Sequence, residues 1–257
     1  MEKLEMLAPC HYAEDWDNVG LLTGSKTKKV TKIMTALDAS NGVIQQAIKE
    51  KVDMLITHHP MIFSSMKKIT DEDFQGKKVI KLIQNDISYY AMHTNCDVMV
   101  MNQKSADFIG LKERKILMIT KENEQTGKAE GIGTYGSLEE EMTLEQLAQK
   151  VKEVFSVDKI RMVGERGAAV KTAAISTGAG KSMIKYALKA GVSVLITGDI
   201  DHHSALDALD QGLFIIDAGH FGTEYFMKEC IKEYLEKTLQ GAVTVVAALE
   251  EDPFTVM

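Results

Sequence analysis

The hexapeptide Leu55-Ile56-Thr57-His58-His59-Pro60 constrains this chain more than any other stretch. An apolar run beginning at Met54 stops abruptly at two adjacent histidines and a proline. Three further stretches repeat the pattern of a hydrophobic run followed by histidine and acid. They are Ile87 to Asp97 (ISYYAMHTNCD), Val192 to His203 (VSVLITGDIDHH) and Leu213 to Glu224 (LFIIDAGHFGTE). Six of the seven histidines fall in these four places, with His11 the exception. Imidazole and carboxylate collected at the ends of strand-like runs point to a metal site at the ends of parallel strands.

Around these runs, strand and helix patterns alternate, as a parallel sheet requires. A strand over 31–37 ends at Asp38, and Ser40 or Asn41 caps a helix over 42–51. Strand 53–57 then opens into the histidine pair. A polar loop over 61–75 and a helix over 76–84 lead to strand 87–92, then His93 and Asp97. Helix 101–109 and strand 115–119 follow. The charged segment Lys121 to Glu130 lacks apolar periodicity and marks the best internal boundary. It suggests a first α/β half over 1–122 and a second over 123–257. Beyond it we expect a short strand over 131–137 and a capping box at Thr143-Leu144-Glu145-Gln146 opening a helix to Phe155. Strands over 157–162 and 170–176, helix 182–190, strand 192–197, helix 204–210, strand 213–216, helix 223–239 and strand 242–247 complete the chain.

The halves resemble one another. Ala47 to Thr57 (AIKEKVDMLIT) aligns without gaps on Ala187 to Thr197 (ALKAGVSVLIT), and Tyr90 to His93 corresponds to Asp217 to His220. Such a repeat places the two histidine clusters on equivalent strand ends. The expected fold is therefore α/β: two related halves with mixed sheets and a metal site between them at the strand C-terminal ends.

Composition removes several classes. In 257 residues, 45% are hydrophobic and 26% charged, as in an ordinary globular protein. A net charge of −7 argues against a general nucleic-acid or anionic-membrane surface. Without a signal-peptide core, an apolar run of membrane-spanning length or a cysteine framework (Cys10, Cys96 and Cys230 are dispersed), the chain reads as cytoplasmic.

Adjacent residues of a strand face opposite ways, so His58 and His59 suit two ions, or one ion if the backbone turns there; the alternative is a solvated loop pair. His220 and Glu224, spaced i, i+4, share a helix face if a helix begins near Phe221. Asp97 can bridge two cations or simply open a helix. His93 is a ligand or a group supporting one. Asp199, Asp201, His202 and His203 solvate a helix start or move protons near the metals. In Ala13 to Gly20 (AEDWDNVG), Trp16 and Asn18 form either a surface turn with an anchoring aromatic or a substrate contact. Thr177-Gly178-Ala179-Gly180-Lys181-Ser182 fails as a P-loop, because the residue five before Gly180 is Ile175. Gly178, Gly180, Lys181 and Ser182 are still a candidate phosphate cradle, against a plain tight turn.

The segments Ala13 to Leu21 (AEDWDNVGL), Thr57 to Pro60 (THHP), His93 to Asp97 (HTNCD) and Gly219 to Glu224 (GHFGTE) resemble the dinuclear metal-centre proteins named GTP cyclohydrolase I type 2. The resemblance spans nearly the whole chain, with the four motifs in the same order. It implies His58, His59, Asp97, His220 and Glu224 as ligands of two metals, and a ring-shaped homohexamer. Longer members carry an inserted domain between the halves, for which this chain has no room. Cys96 stands where an apolar residue usually precedes the aspartate. The expected function is metal-dependent hydrolysis of a nucleotide, GTP ring opening with loss of formate. The alternatives are a phosphoesterase and a non-enzymatic metal-binding or regulatory protein. His93 and Asp199 would assist the chemistry. The donor types suit Zn, Fe, Mn or Ni.

Overall fold

The computed structural model describes residues 1–122 and 127–255. They form two compact units, and the chain enters the first one twice. Unit 1 comprises Met1–Cys96 together with Phe226–Pro253; unit 2 begins at Asp97 and runs to Tyr225.

Unit 1 opens with α1 (Glu2–Leu7), β1 (Gly20–Thr23), β2 (Lys32–Ala36), α2 (Asn41–Lys49), β3 (Met54–Thr57), α3 (Phe74–Gln84), β4 (Ser88–Ala91) and a short turn of helix, α4 (Thr94–Cys96). The chain then builds unit 2. A π-helical turn, Asp97–Met101, passes into α5 (Asn102–Ile109), followed by β5 (Lys112–Glu122), β6 (Ala129–Thr143), α6 (Leu144–Phe155), β7 (Arg161–Val163) and β8 (Ala169–Ala179). After a 3-10 turn at Lys181–Met183 come α7 (Ile184–Ala190), β9 (Val194–Gly198), α8 (His202–Asp210), β10 (Phe214–Asp217) and α9 (His220–Glu224). The return to unit 1 consists of α10 (Met227–Leu239) and β11 (Thr244–Ala247).

The sheet of unit 1 has the order β1-β4-β3-β2-β11, and that of unit 2 β5-β6-β8-β9-β10-β7. Within each, three parallel strands carry an antiparallel edge strand beside the last of them. These are β2, β3 and β4 with β1, and β8, β9 and β10 with β7. The repeat expected from the sequence is therefore present in the topology. α2 with β3 and α7 with β9 are its helix–strand pairs, and β3 and β9 are buried along their whole length. Strands covered on both faces read as continuous apolar runs, which is why MLIT and VLIT look alike.

Local chemistry sets the element ends. Ser40 Oγ accepts from Val43 N at the start of α2, and Asp73 caps α3 through Gly76 N at 2.7 Å. The capping box of α6 forms as expected: Thr143 Oγ1 accepts from Gln146 N, and Gln146 Oε1 from Thr143 N. α2 and α3 bury Val43, Ile44, Ala47, Val79 and Leu82 on Met34, Leu55 and Tyr89 of the first sheet. The second core gathers Leu117, Ala174, Met183, Ala187, Leu195 and Ile215. Each fully buried Leu or Ile contributes roughly 1.5–3 kcal/mol.

Several expectations need correction. The boundary placed at 122/123 falls in a hairpin of unit 2, where Lys121 pairs with Glu130 and Glu122 with Ala129; residues 123–126 lie outside the described part. Lys121, Glu122 and Glu130 are charged strand ends, so the lack of apolar periodicity there does not mark a domain boundary. The second half does not run to the C-terminus either. β11 pairs in parallel with β2, so the C-terminal segment completes the first sheet. The strand expected over 131–137 is the long β6, which bonds to both β5 and β8. The helix expected over 223–239 is two helices, α9 and α10. β1, absent from the sequence reading, is too short to show alternation.

Candidate metal centre

In unit 1 the site forms where β3 ends. The backbone continues its ladder one step further, with His58 N donating to Ala36 O at 3.3 Å and His59 N to Leu37 O at 3.1 Å. The turn after it is tied by buried hydroxyls. Thr57 Oγ1 donates to His59 O at 2.8 Å. The Tyr89 hydroxyl donates to the same carbonyl at 3.0 Å and accepts from Met61 N at 2.7 Å. Burial pushes the Tyr89 phenol up to about 12, so it stays a neutral donor. The two histidine rings nevertheless do not diverge to opposite faces. Their ring centroids lie 5.0 Å apart, and His93 joins them at 5.2 and 5.6 Å. One ligand atom from each of His58, His59 and His93 lies within 4.8 Å of the others, close enough to hold an ion.

Each imidazole is oriented through Nδ1. His58 Nδ1 is 2.8 Å from Met92 O, His59 Nδ1 is 2.9 Å from Asp38 Oδ1, and His93 Nδ1 is 2.9 Å from Asp17 Oδ1. A carbonyl or carboxylate oxygen only accepts, so in each case Nδ1 carries the proton and Nε2 presents its lone pair. An oxygen behind the imidazole is the usual support of a metal-binding histidine. Asp17 also accepts from Thr94 N and Thr94 Oγ1. Burial pushes the Asp17 carboxyl up, but the bonds from His93 and Thr94 outweigh it and hold the group at about 2.

Unit 2 repeats the device. Asp217, 4% exposed, accepts from Ile200 N and Gly219 N at 3.0 Å each and pairs with Arg161. It thereby shapes both loops that follow β9 and β10. The first loop carries Asp199 at a left-handed φ of +57°. The second delivers His220 as the first residue of α9. His220 Nδ1 lies 2.8 Å from Asp199 Oδ2, and His220 Nε2 lies 3.1 Å from Glu224 Oε2. Glu224 is 4% exposed, and carboxylate oxygens of Asp97 and Glu224 lie within 4.8 Å of one another. Asp97, half-buried, opens the π-helical turn. The expected i, i+4 helical relation of His220 and Glu224 is present.

The glycine loop plays a different part from the one expected. Gly178 N donates to Thr223 Oγ1 at 2.9 Å and Gly180 N to Gly198 O at 3.0 Å, so neither N–H faces an anion. Lys181 Nζ pairs with Asp201 Oδ2 at 2.9 Å. Gly178 instead makes room for the site: a Cβ there would lie 2.2 Å from Glu224 Oε1 and 3.3 Å from His220 Nε2. Ser182 lies within the 3-10 turn. Asp201 caps α8 by accepting from Ser204 N, and His202 and His203 are exposed on its first turn.

Of the candidate substrate contacts, Trp16 is 58% exposed. Its ring lies 6.0 Å from that of His93, edge to face, and 5.9 Å from that of Phe63. The amide of Asn18 is engaged, donating to Ile62 O at 2.5 Å, and so ties the Trp16 turn to the Phe63 loop. The sequence reading missed Asp17, Asp38 and Phe63. For the two aspartates a signal existed: Asp38 ends the strand beside β3, and Asp17 lies within a motif already singled out.

The donors are imidazole nitrogens and carboxylate oxygens, with no cysteine among them, which suits divalent transition ions. Among the described residues no helix is long and apolar enough to cross a membrane.

Known proteins share this architecture. A Clostridium acetobutylicum protein named GTP cyclohydrolase 1 type 2 homolog is 38% identical over 238 residues, covering 92% of this chain and 88% of that protein. A Clostridium perfringens protein of the same name is 33% identical over 98% of this chain and 95% of its own length. The crystal structure of a Bacillus cereus protein related to NIF3 superposes with a TM-score of 0.92 at 26% identity, covering 100% of this chain and 97% of the other. Since the family model Duf34/NIF3 (NGG1p interacting factor 3) also matches residues 1–253, this chain belongs to the Duf34/NIF3 family.

Proposed function

We propose that this chain is a metal-dependent hydrolase acting on a nucleotide, and that its reaction is opening of the GTP purine ring with release of formate. The observation that carries the reading is the common orientation of His58, His59 and His93, each with Nδ1 on an oxygen and Nε2 left as the ligand atom. Three imidazoles held this way are costly to arrange for packing alone. The relatives' name, GTP cyclohydrolase 1 type 2 homolog, supplies the substrate class.

In this reading His58, His59, Asp97, His220 and Glu224 together hold two divalent ions, Zn, Fe, Mn or Ni. When bound, such ions supply a water whose pKa falls toward ~7. The chain's own groups do the rest. His93 Nε2 is the proton acceptor, and Asp17, ionised because it is held at about 2, stabilises the imidazolium that forms. Asp199 holds the His220 ring through Nδ1, with Nε2 beside Glu224. Trp16 and Phe63 offer two exposed aromatic faces, tilted 50° to one another, against which a purine base can stack beside His93, and Asn18 ties the two loops together by holding Ile62 O. Positioning of this kind contributes much of the rate of a two-reactant step. Assembly into a homohexamer and a cytoplasmic location belong to the same proposal.

The test is to purify the protein, measure its metal content, and load metal-free protein with each of the four ions. Each form is incubated with GTP, with formate quantified and the product identified by mass spectrometry. Formate released in step with a ring-opened product supports the reading. Two bound ions without formate above buffer, for any metal, would overturn the cyclohydrolase assignment and leave a metal-binding protein. Phosphate release instead would identify a phosphoesterase.

A further inference from the structure

Lys228 and Glu250 form an ion pair in the interior of unit 1, with side chains 2% and 5% exposed and Nζ 3.5 Å from Oε2. Lys228 Nζ also donates to Ala248 O at 2.6 Å. Neither residue belongs to the motifs that carry the family resemblance. Removing two charges from water costs several kcal/mol per ion, and an apolar pair of the same volume is often as stable. A buried pair therefore calls for a reason beyond stability, and the contacts of Glu250 supply one. Its carboxylate accepts from Leu37 N at 2.9 and 3.1 Å and from Asp38 N at 3.0 Å.

Those two peptides are the frame of His59. Leu37 O accepts from His59 N, and Asp38 Oδ1 accepts from His59 Nδ1. The same dipeptide thus meets Glu250 through its N–H groups and His59 through a carbonyl and a carboxylate. The segment bearing Glu250 is itself fixed. Ala248 N donates to Thr35 O at 2.8 Å, continuing the β11–β2 ladder. The Gln46 amide brackets Leu249, donating to its carbonyl at 2.7 Å and accepting from its N–H at 2.9 Å. Without the carboxylate, three bonds to the 37–38 turn would be lost.

We propose that Glu250, neutralised by Lys228, is a positioning residue for the metal site: it sets the 37–38 turn so that Asp38 holds His59 in its ligand orientation. The C-terminal segment, which returns to the first sheet as β11, is then part of the site. The inference rests on the metal-binding reading, but one arm of its test does not.

The experiment uses the full-length chain and four variants: Glu250→Ala, Glu250→Gln, Asp38→Ala and the double variant Glu250→Ala with Asp38→Ala. The first arm titrates Zn(II) into metal-free protein against a chromophoric chelator. Glu250→Ala should weaken the affected zinc site at least tenfold. Glu250→Gln, which keeps an acceptor oxygen, should recover to within about threefold of wild type. Asp38→Ala should weaken binding by at least as much as Glu250→Ala. In the double variant the loss should equal that of Asp38→Ala alone, because the two act in series. The second arm records 15N imidazole spectra of metal-free protein, where His59 should lose its single Nδ1–H form in Glu250→Ala. If Glu250→Ala does not fold, Lys228→Met with Glu250→Leu, which removes both charges and the clamp together, is read in its place.

Zinc affinity within twofold of wild type in the folded variant, or losses that simply add in the double variant, would overturn the proposal. Wild type that binds no zinc would defeat the metal reading alone, and the imidazole spectra would still decide whether Glu250 orients His59.

Discussion

Replacing Gly178 with alanine should damage the metal site far more than the fold, and a second glycine supplies the control. Gly178 has φ +69°, and a Cβ there would sit 2.2 Å from Glu224 Oε1, roughly 1 Å inside ordinary contact. Gly191 has nearly the same backbone, φ +67°, but nothing lies within 4 Å of its Cβ position. Both substitutions carry the left-handed penalty of an L-residue, roughly 1–2 kcal/mol. Only Gly178→Ala also has to displace a carboxylate that is 4% exposed and lies 3.1 Å from His220 Nε2. Glu224 must swing away by about 1 Å, which breaks the shared geometry of the His220–Glu224 pair. Disturbing a metal ligand's support typically costs 10- to 100-fold in affinity, about 1.4–2.8 kcal/mol. Thermal melts of the metal-free variants should show the left-handed penalty in both, with the displaced carboxylate adding to it in Gly178→Ala. Zinc titrations should show at least a tenfold loss in Gly178→Ala and no loss in Gly191→Ala. Equal zinc affinities for the two variants, with both folded, would refute the reasoning, because the steric contact with Glu224 would then have no consequence.

Two further outcomes follow from the same geometry. The Asp17 carboxyl is held at about 2 against an ordinary 3.8, so its folded-state pKa is depressed. Its contribution to stability is thus present above about pH 4 and fades as pH falls through 2. Metal-free wild type should melt higher than Asp17→Asn at pH 5, with the gap narrowing towards pH 2; a gap that is constant over this range would contradict the assignment. Trp16→Ala and Phe63→Ala should keep the metal content of wild type while raising the KM for GTP about tenfold, roughly 1.4 kcal/mol of binding. An unchanged KM in both would remove the aromatic surface from the substrate site.

The sequence alone already carried the local part of this protein. Apolar runs stopping at histidine and acid located β3, β4, β9 and β10 and the residues at their ends. Ser40 and the Thr143–Gln146 box marked helix starts correctly, because a cap is a contact between residues two or three positions apart. The gapless match of 47–57 on 187–197 announced two sheets of related order, since strands buried on both faces need the same apolar run wherever they occur.

What only the tertiary structure decided lies in contacts between residues far apart in the chain. Nothing in Thr244-Val245-Val246-Ala247 says that it pairs with β2 rather than with the strands that precede it, and four residues are too few to specify a partner. Asp38 and His59 are 21 positions apart, Asp17 and His93 76, and Leu37 and Glu250 213. Each pair exists because strand order brings two loops to the same end of a sheet. The glycine loop shows the converse. Its spacing resembled an anion cradle, but the N–H groups of Gly178 and Gly180 are already satisfied by Thr223 and Gly198. A motif of glycines states only that the backbone must come close to something, and the packing around β8 and α9 determines that the neighbour is the carboxylate of Glu224.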